Sequence, residues 1–451
     1  MSFRLQAVLK SWHADELLKK VIRNTGYLFS SNTLAMGLSF IQSIFAARLL
    51  GVAAFGLLEI IIKFSTTINR LFSFRMGELV VRYVGKAHAE KQNECARAVI
   101  LVAGITEGLT SVLAFGVLYA AAPLAAEILA KDASLVGLFR FYGLSILFNM
   151  VEESSIGLLQ VFNRFKGQAV VNAVQSCLTA GIIVAAFLLK ANLLAILMAY
   201  LIGKIVLSMG YLILALIEVN KEFGGSWWRV NFSALPPIRE LAHFALSTNL
   251  SASIKLLVRD SEQLWVALFL NPTAVGYCKT ALALINLVMM PISPILNTTF
   301  PEIIRGVARR AWDEVTNLLR RSTIIAAVWT VGTSLFLLFF GKWVILFYGE
   351  QYLPAYPALM VMLAGFGIAN IFFWNRTLFL AFGKPMLPFY VMLIGAVIKI
   401  ILGFIFVPRL GYVFEAFLLS ANFILTVGYL VWRGLRELRI AKRMPVVVSE
   451  L

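Results

Sequence analysis

The sequence predicts an all-α polytopic membrane protein of about twelve transmembrane helices, built as two parallel six-helix repeats, and three observations carry that expectation. Of its residues 60% are hydrophobic and 14% charged, against about a quarter charged in soluble domains. A bilayer core about 30 Å thick needs about 20 apolar residues per crossing. Stretches of that kind lie near residues 25–47, 57–81, 98–122, 138–162, 168–189, 193–217, 241–270, 275–300, 322–340, 355–381, 386–407 and 411–432. The third observation is an internal repeat. ARLLGVAAFGLLEII (47–61) aligns with ALFLNPTAVGYCKTA (267–281), placing Gly56 over Gly276, and LLQVFNRFKGQAVVNAV (158–174) aligns with NRTLFLAFGKPMLPFYV (375–391).

The net charge of +17 is a topology signal rather than a nucleic-acid footprint. Segments on the N-terminal side of the membrane hold 25 Lys and Arg, and the alternate loops hold five: Arg48, Lys131, Lys190, Lys342 and Arg409. By the positive-inside rule both termini are cytoplasmic. With six spans per copy, both copies then start on the same side. Parallel repeats of this kind bind substrate between the halves and rock for alternating access.

Residues 1–24 interleave Arg4, Lys10, Lys19, Lys20 and Arg23 with Leu5, Leu9, Trp12, Leu17 and Ile22, which suits a cytoplasmic interfacial segment. The first lobe is expected over 25–218. In its second span Glu59, Lys63, Thr66, Arg70, Ser73 and Gly77 share one helical stripe, so this span shows charge to an interior. Glu59 and Lys63, four residues apart, can partly neutralise each other. The third span contributes Glu107. The fourth contributes Tyr142, Ser145, Asn149, Gln160 and the adjacent carboxylates Glu152 and Glu153, which are expected to bind protons or cations or to pair with a lysine such as Lys204 of the sixth span.

Residues 219–240 carry the helix breakers Gly224, Gly225, Pro236 and Pro237 and read as a cytoplasmic inter-lobe linker. The second lobe is expected over 241–433, followed by a basic cytoplasmic tail at 434–451. Its first span, LAHFALSTNLSASIKLLVRDSEQLWVALFL, is long enough to cross the bilayer, yet Thr248, Ser251, Lys255, Arg259 and Glu262 fall on one stripe with Asp260 beside it. Each charge near the bilayer centre costs about 2.5–3.5 kcal/mol, so the stripe must face protein or a wet cavity.

Catalytic machinery is not visible. Cys95, Cys177 and Cys278 are far apart, and His13, His88 and His243 have no metal-ligand spacing. There is no Walker A sequence and no Asp-x-Asp pair. The chain is therefore expected to be no enzyme and to use no metal and no cofactor.

The motifs RLLGVAAFG (48–56), GELVVRYVG (77–85), NPTAVGYCKTALAL (271–284), FPEII (300–304) and GEQYLPAYPALMVMLAG (349–365) resemble the polysaccharide (oligosaccharide-lipid) flippases, Wzx-like members of the multidrug, oligosaccharidyl-lipid and polysaccharide (MOP) exporter superfamily. The resemblance covers most of the chain, in order, with a matching span count. It implies a V-shaped pair of six-helix lobes in a bacterial or archaeal inner membrane. It also implies transport of a polyprenyl-diphosphate-linked oligosaccharide to the outer leaflet during surface polysaccharide assembly. The partners implied are that lipid-linked oligosaccharide, membrane lipids and other polysaccharide-assembly membrane proteins, with no nucleic acid. Relatives that flip the peptidoglycan precursor usually have fourteen spans, two more than here.

A diphosphate passenger requires cations in place of water. Arg259, Lys255, Arg70, Lys63 and Lys279 are the expected substrate contacts. Asp260, Glu262, Glu59, Glu152 and Glu153 are expected either to couple transport to an ion or to serve in charge pairing. A drug or cation antiporter of the same superfamily would fit the topology but favour acidic residues in its cleft. A glycan polymerase or ligase would need a large outer loop, and no outer loop exceeds about fifteen residues.

Overall fold

The computed structural model describes residues 16–74, 76–255, 261–384 and 386–443. Among them every regular element is helical, and ten helices are long and apolar enough to cross a membrane. The first of these, α1 (Glu16–Phe72), contains an apolar run over 26–72 of 47 residues. At about 1.5 Å per residue such a run is about twice the bilayer core, so it must be two spans. Gly51 separates them: its backbone is non-helical at φ 74° and ψ 171°, a conformation that L side chains avoid.

After α1 a short helical run, α2 (77–89), contains a π-type turn over Val80–Val84. Next come α3 (Asn93–Ile128), α4 (Val136–Phe148), α5 (Glu152–Val161), α6 (Phe165–Leu188) and α7 (Leu193–Phe223). The fourth span is thus broken into α4 and α5 near Asn149. In the second half of the chain, α8 (Ile238–Lys255) and α9 (Glu262–Phe269) precede α10 (Pro272–Met289), α11 (Ile292–Ala308) and α12 (Trp312–Leu346). The last elements are α13 (Ala355–Ile371), α14 (Asn375–Ala381), α15 (Met386–Leu410) and α16 (Tyr412–Arg443). The tenth span breaks between α13 and α14 as the fourth does between α4 and α5, so the repeat expected from the sequence is also a repeat of helix interruptions.

The seventh span is not the single continuous helix that its apolar length predicts. Ser261 is non-helical, and Glu262 begins a new helix. The stripe over 248–262 therefore does not lie on one helix.

The chain forms two compact units. The first comprises the described residues up to Leu49 together with Ile61–Ser261, and the second comprises Leu50–Ile60 together with those from Glu262 onward. The repeat divides the sequence at 219–240, whereas the contacts divide it after Ser261. The cause lies in α8, whose Leu241 and Ala245 are buried in the same core as Val80, Val84, Val99 and Leu159. In the second unit, Asn271 caps α10 by accepting from the Ala274 N–H at 2.9 Å, and Pro272 occupies the first turn, where its missing donor is not needed.

Candidate functional site

Among the described residues, buried charge lies in both units. In the second unit, Glu262 opens α9, Lys399 sits in the middle of α15 and Glu415 lies in the first turn of α16. The Lys399 ammonium donates to Glu262 and lies 2.9 Å from Glu415 Oε1. All three are buried, Lys399 and Glu415 at 6% and 3% exposure. Removing one member of a buried ion pair costs about 3–5 kcal/mol, because the remaining charge is stranded. The arrangement therefore fixes α9, α15 and α16 to one another.

A second pair in this unit joins Lys279 of α10 to Glu59, 2.8 Å apart, with the carboxylate buried and the lysine about a third exposed. Glu59 belongs to the Leu50–Ile60 segment of α1, which packs with the second unit. The closeness of this packing rests on Gly56 and Gly276. A Cβ at Gly56 would lie 1.8 Å from the Pro272 carbonyl oxygen, and one at Gly276 would lie 2.4 Å from that of Val52. Small residues let helix backbones touch in membranes, and here the approach brings Glu59 within reach of Lys279.

In the first unit the break in the fourth span is held by side chains. Glu107, buried in α3, accepts the backbone N–H groups of Glu153 and Ser154 at 2.9 Å each, and also the Ser154 hydroxyl. These are orphan donors at the N-terminus of α5, and a carboxylate there also meets the positive end of the helix dipole. Glu152 is bonded instead by the Ser208 hydroxyl at 2.9 Å, and that hydroxyl also approaches Asn149 Oδ1 at 2.5 Å. Lys204, an expected counter-cation, takes part in none of the described ion pairs. A cavity of about 280 Å³ beside this break is lined by Gly77, Glu78, Arg82, Glu153, Gly157 and Gln160, among others. The Arg82 guanidinium lies over the Phe244 ring at 4.7 Å.

The residues expected from the sequence are distributed as follows. Arg259 and Asp260 lie outside the described residues, and Lys255 is the last described residue of α8, its side chain likewise outside them. Lys63 is half-buried in α1, and Arg70 is exposed in its last turn. Glu59 and Lys279 are brought together. Glu262 takes Lys399 as its described cation rather than a residue of its own span. Lys399 and Glu415 are visible in the sequence as single charges in apolar runs, IGAVIKIILGF and YVFEAFLL, but no spacing joins residues on three helices. The hydroxyls of Ser154 and Ser208 carry no such signal. Among the described residues no group of three or more His, Cys, Asp or Glu side chains could hold a metal ion.

Comparison with known proteins gives one family and a consistent fold. The profile of a family described as "Polysaccharide biosynthesis protein" matches residues 21–307. The inner membrane protein YghQ of Escherichia coli (strain K12) is 25% identical over 355 residues, covering 78% of this chain and 99% of that protein. A multidrug resistance MATE family transporter of the MOP superfamily, solved in an inward-facing conformation, superposes with a TM-score of 0.74 at 14% identity, over 90% of this chain and 95% of the other. A MOP superfamily transporter from Pyrococcus furiosus, reported with a binding pocket of reversed polarity, gives 0.63 at 13% identity over 94% and 97%. At these identities the structural likeness speaks for the fold.

Proposed function

The chain belongs to the polysaccharide biosynthesis protein family, membrane transporters of the MOP superfamily, and from that premise we propose that it translocates a polyprenyl-diphosphate-linked oligosaccharide by alternating access. The observation that carries this reading is the family match over 21–307. The reading places the chain in a bacterial or archaeal inner membrane with both termini cytoplasmic, in support of surface polysaccharide synthesis alongside other assembly proteins. The lobes proposed are 25–218 and 241–433.

The chemistry asked of the chain is transfer of a diphosphate through a medium that does not solvate it. Arg259, Lys255, Arg70, Lys63 and Lys279 are the cations we assign to that task, with Arg259 foremost because its planar fork can hold two phosphate oxygens together. Lys279 is engaged by Glu59, so on this reading the phosphate competes with a carboxylate for it. No bond in the substrate is made or broken.

A second reading, a drug or cation antiporter, draws on a specific observation: the buried charges described in the spans are mostly carboxylates, Glu59, Glu107, Glu262 and Glu415 among them. One experiment separates the two. The full chain is reconstituted in vesicles loaded with a polyprenyl-diphosphate oligosaccharide, whose exposure in the outer leaflet is read by lectin binding, and separately with organic cations. Lectin-accessible sugar that depends on the protein supports the flippase. Cation efflux with no movement of the lipid-linked sugar overturns it.

A further inference from the structure

The cavity of about 280 Å³ beside α5 has walls that are held from three directions. Helices α2 and α5 meet backbone to backbone: a Cβ on Gly77 would lie 2.9 Å from the Glu153 carbonyl oxygen, and one on Gly157 would lie 2.8 Å from that of Gly77. Glu107 of α3 holds the first turn of α5 through the Glu153 and Ser154 N–H groups. On α2, the Tyr83 hydroxyl donates to Glu240 of α8 at 2.8 Å. Walls fixed in advance suit a binding site, because little ordering remains to be done when a ligand enters.

Three of the polar side chains that line it are uncommitted. Glu78 and Arg82 stand four residues apart with the carboxylate on the N-terminal side, the order in which a regular helix pairs opposite charges best. Among the described residues, however, no ion pair joins them. The π-type turn over Val80–Val84 interrupts the regular register, as such turns do at many functional sites. The Arg82 guanidinium lies instead over the rings of Phe244 and Tyr83, at 4.7 and 5.3 Å. Glu78, Arg82 and the Gln160 amide have no side-chain hydrogen bond among the described residues. Val81 and Ile156 add an apolar strip to the same lining.

We propose that this cavity binds one sugar ring. Sugar hydroxyls both donate and accept, so they can engage the Glu78 carboxylate, which only accepts, the Arg82 guanidinium, which only donates, and the Gln160 amide, which does both. The C–H face of the ring fits the strip formed by Val81 and Ile156. An ionised diphosphate offers acceptors alone and leaves Glu78 without a use. Volume favours a single ring over a longer glycan: sites for drug-sized ligands occupy about 300–1,000 Å³, and this cavity lies just below that range. That the sugar belongs to a lipid-linked passenger rests on the flippase reading; the binding itself does not. On that reading separate residues recognise the two ends of the polar headgroup, Glu78, Arg82 and Gln160 for the glycan and the cations assigned above for the diphosphate.

The test needs no knowledge of the natural glycan. The full chain in nanodiscs is mixed with a panel of methyl glycosides of hexoses, N-acetylhexosamines and hexuronic acids, and contact is read by saturation-transfer NMR, with inorganic diphosphate as the competitor. At least one glycoside should bind saturably and resist displacement by diphosphate. E78A should weaken that binding about tenfold or more and Q160A about fivefold, the difference between a charged and a neutral hydrogen-bond partner. R82A should abolish it. Because R82A also uncovers the Phe244 ring, V81W is the second variant: it fills the cavity from an exposed position, removes no polar group and should also abolish binding at an unchanged unfolding temperature. No saturable binding by any glycoside, binding that diphosphate displaces, or binding unchanged in V81W and E78A overturns the proposal. Vesicles loaded with polyprenyl-diphosphate oligosaccharide then test the role in transport, where V81W should move the lipid-linked sugar more slowly than the wild type. A V81W protein that transports at the wild-type rate overturns that role. A wild type that binds the glycoside and moves no lipid-linked sugar overturns only the flippase reading.

Discussion

Gly56 and Gly276 occupy equivalent positions in the two halves of the sequence, and each packs against the residue equivalent to the other's neighbour. Gly56 faces the carbonyl of Pro272, and Gly276 faces the carbonyl of Val52. Val52 and Pro272 are themselves equivalent in the repeat, so the contact is reciprocal. Reciprocal contacts of this kind are the mark of a local twofold relationship, here between the helix starts at 52–56 and 272–276. A parallel repeat with an axis along the membrane normal requires such a relationship.

This contact yields the first prediction. Gly56→Ala and Gly276→Ala each place a methyl against backbone that cannot swing aside, and overpacking of a tight contact costs about 1–3 kcal/mol, occasionally more. Both variants should lower the unfolding temperature of the detergent-solubilised protein, and the double variant should insert poorly. Gly37→Ala, where an added Cβ meets nothing within 4 Å, should be close to neutral. A Gly56→Ala protein as stable as the wild type would contradict the contact.

The second prediction concerns Lys399. Lys399→Met strands Glu262 and Glu415, and a broken buried pair costs about 3–5 kcal/mol. Replacing all three as Lys399→Met, Glu262→Gln and Glu415→Gln should recover a large part of that loss, because it removes the charges together with their partner. Thermal unfolding of the purified variants decides it, and a triple variant no more stable than the single one would refute the account.

Glu107 supports the third. Its carboxylate accepts three bonds at the start of α5, and leaving buried donors unsatisfied costs about 1–3 kcal/mol. Glu107→Ala should therefore destabilise more than Glu107→Gln, whose amide oxygen can keep part of the cap. Hydrogen exchange should localise the damage to the first turn of α5, including Glu153 and Ser154. Uniform loss of protection across the first unit would argue instead for a global packing role.

How far the sequence anticipates this architecture depends on the kind of signal. Apolar length marks the ten described helices long enough to cross a membrane, because a bilayer core sets the number of residues a span needs. The Gly56–Gly276 alignment marks the repeat, because both copies use the same close approach. Helix breaks near Asn149 and Ser261 are less legible, since the flanking residues remain apolar and periodicity does not register a discontinuity. The cluster of Glu262, Lys399 and Glu415 is hidden for a different reason: charge pairing across helices has no fixed spacing. A stripe on one helix therefore suggested partners within 248–262, where packing supplied one from α15.

The fourth prediction asks whether Lys279 acts on substrate or only on Glu59. If it serves only to neutralise the buried carboxylate, Lys279→Ala should impair the protein and Lys279→Ala with Glu59→Gln should restore transport. If it contacts the diphosphate, the double variant should be stable yet slow. Vesicle transport measured beside thermal stability distinguishes the two, and a fully active Lys279→Ala would remove the residue from both roles.

The last prediction is the sharpest for the substrate. Arg259 is the cation we assign to the diphosphate, since a guanidinium can hold two phosphate oxygens in one plane whereas an ammonium is a point charge. Arg259→Ala should lose transport with normal membrane insertion, and Arg259→Lys should keep part of it. The alternative role, neutralising Glu262, predicts that removing both side chains restores activity. Glu262 already has Lys399 as a buried partner, so Arg259→Ala with Glu262→Ala should remain inactive, while Lys399 keeps Glu415 as its partner. Surface-glycan complementation across the series measures this, and a well-expressed, fully active Arg259→Ala would end the assignment.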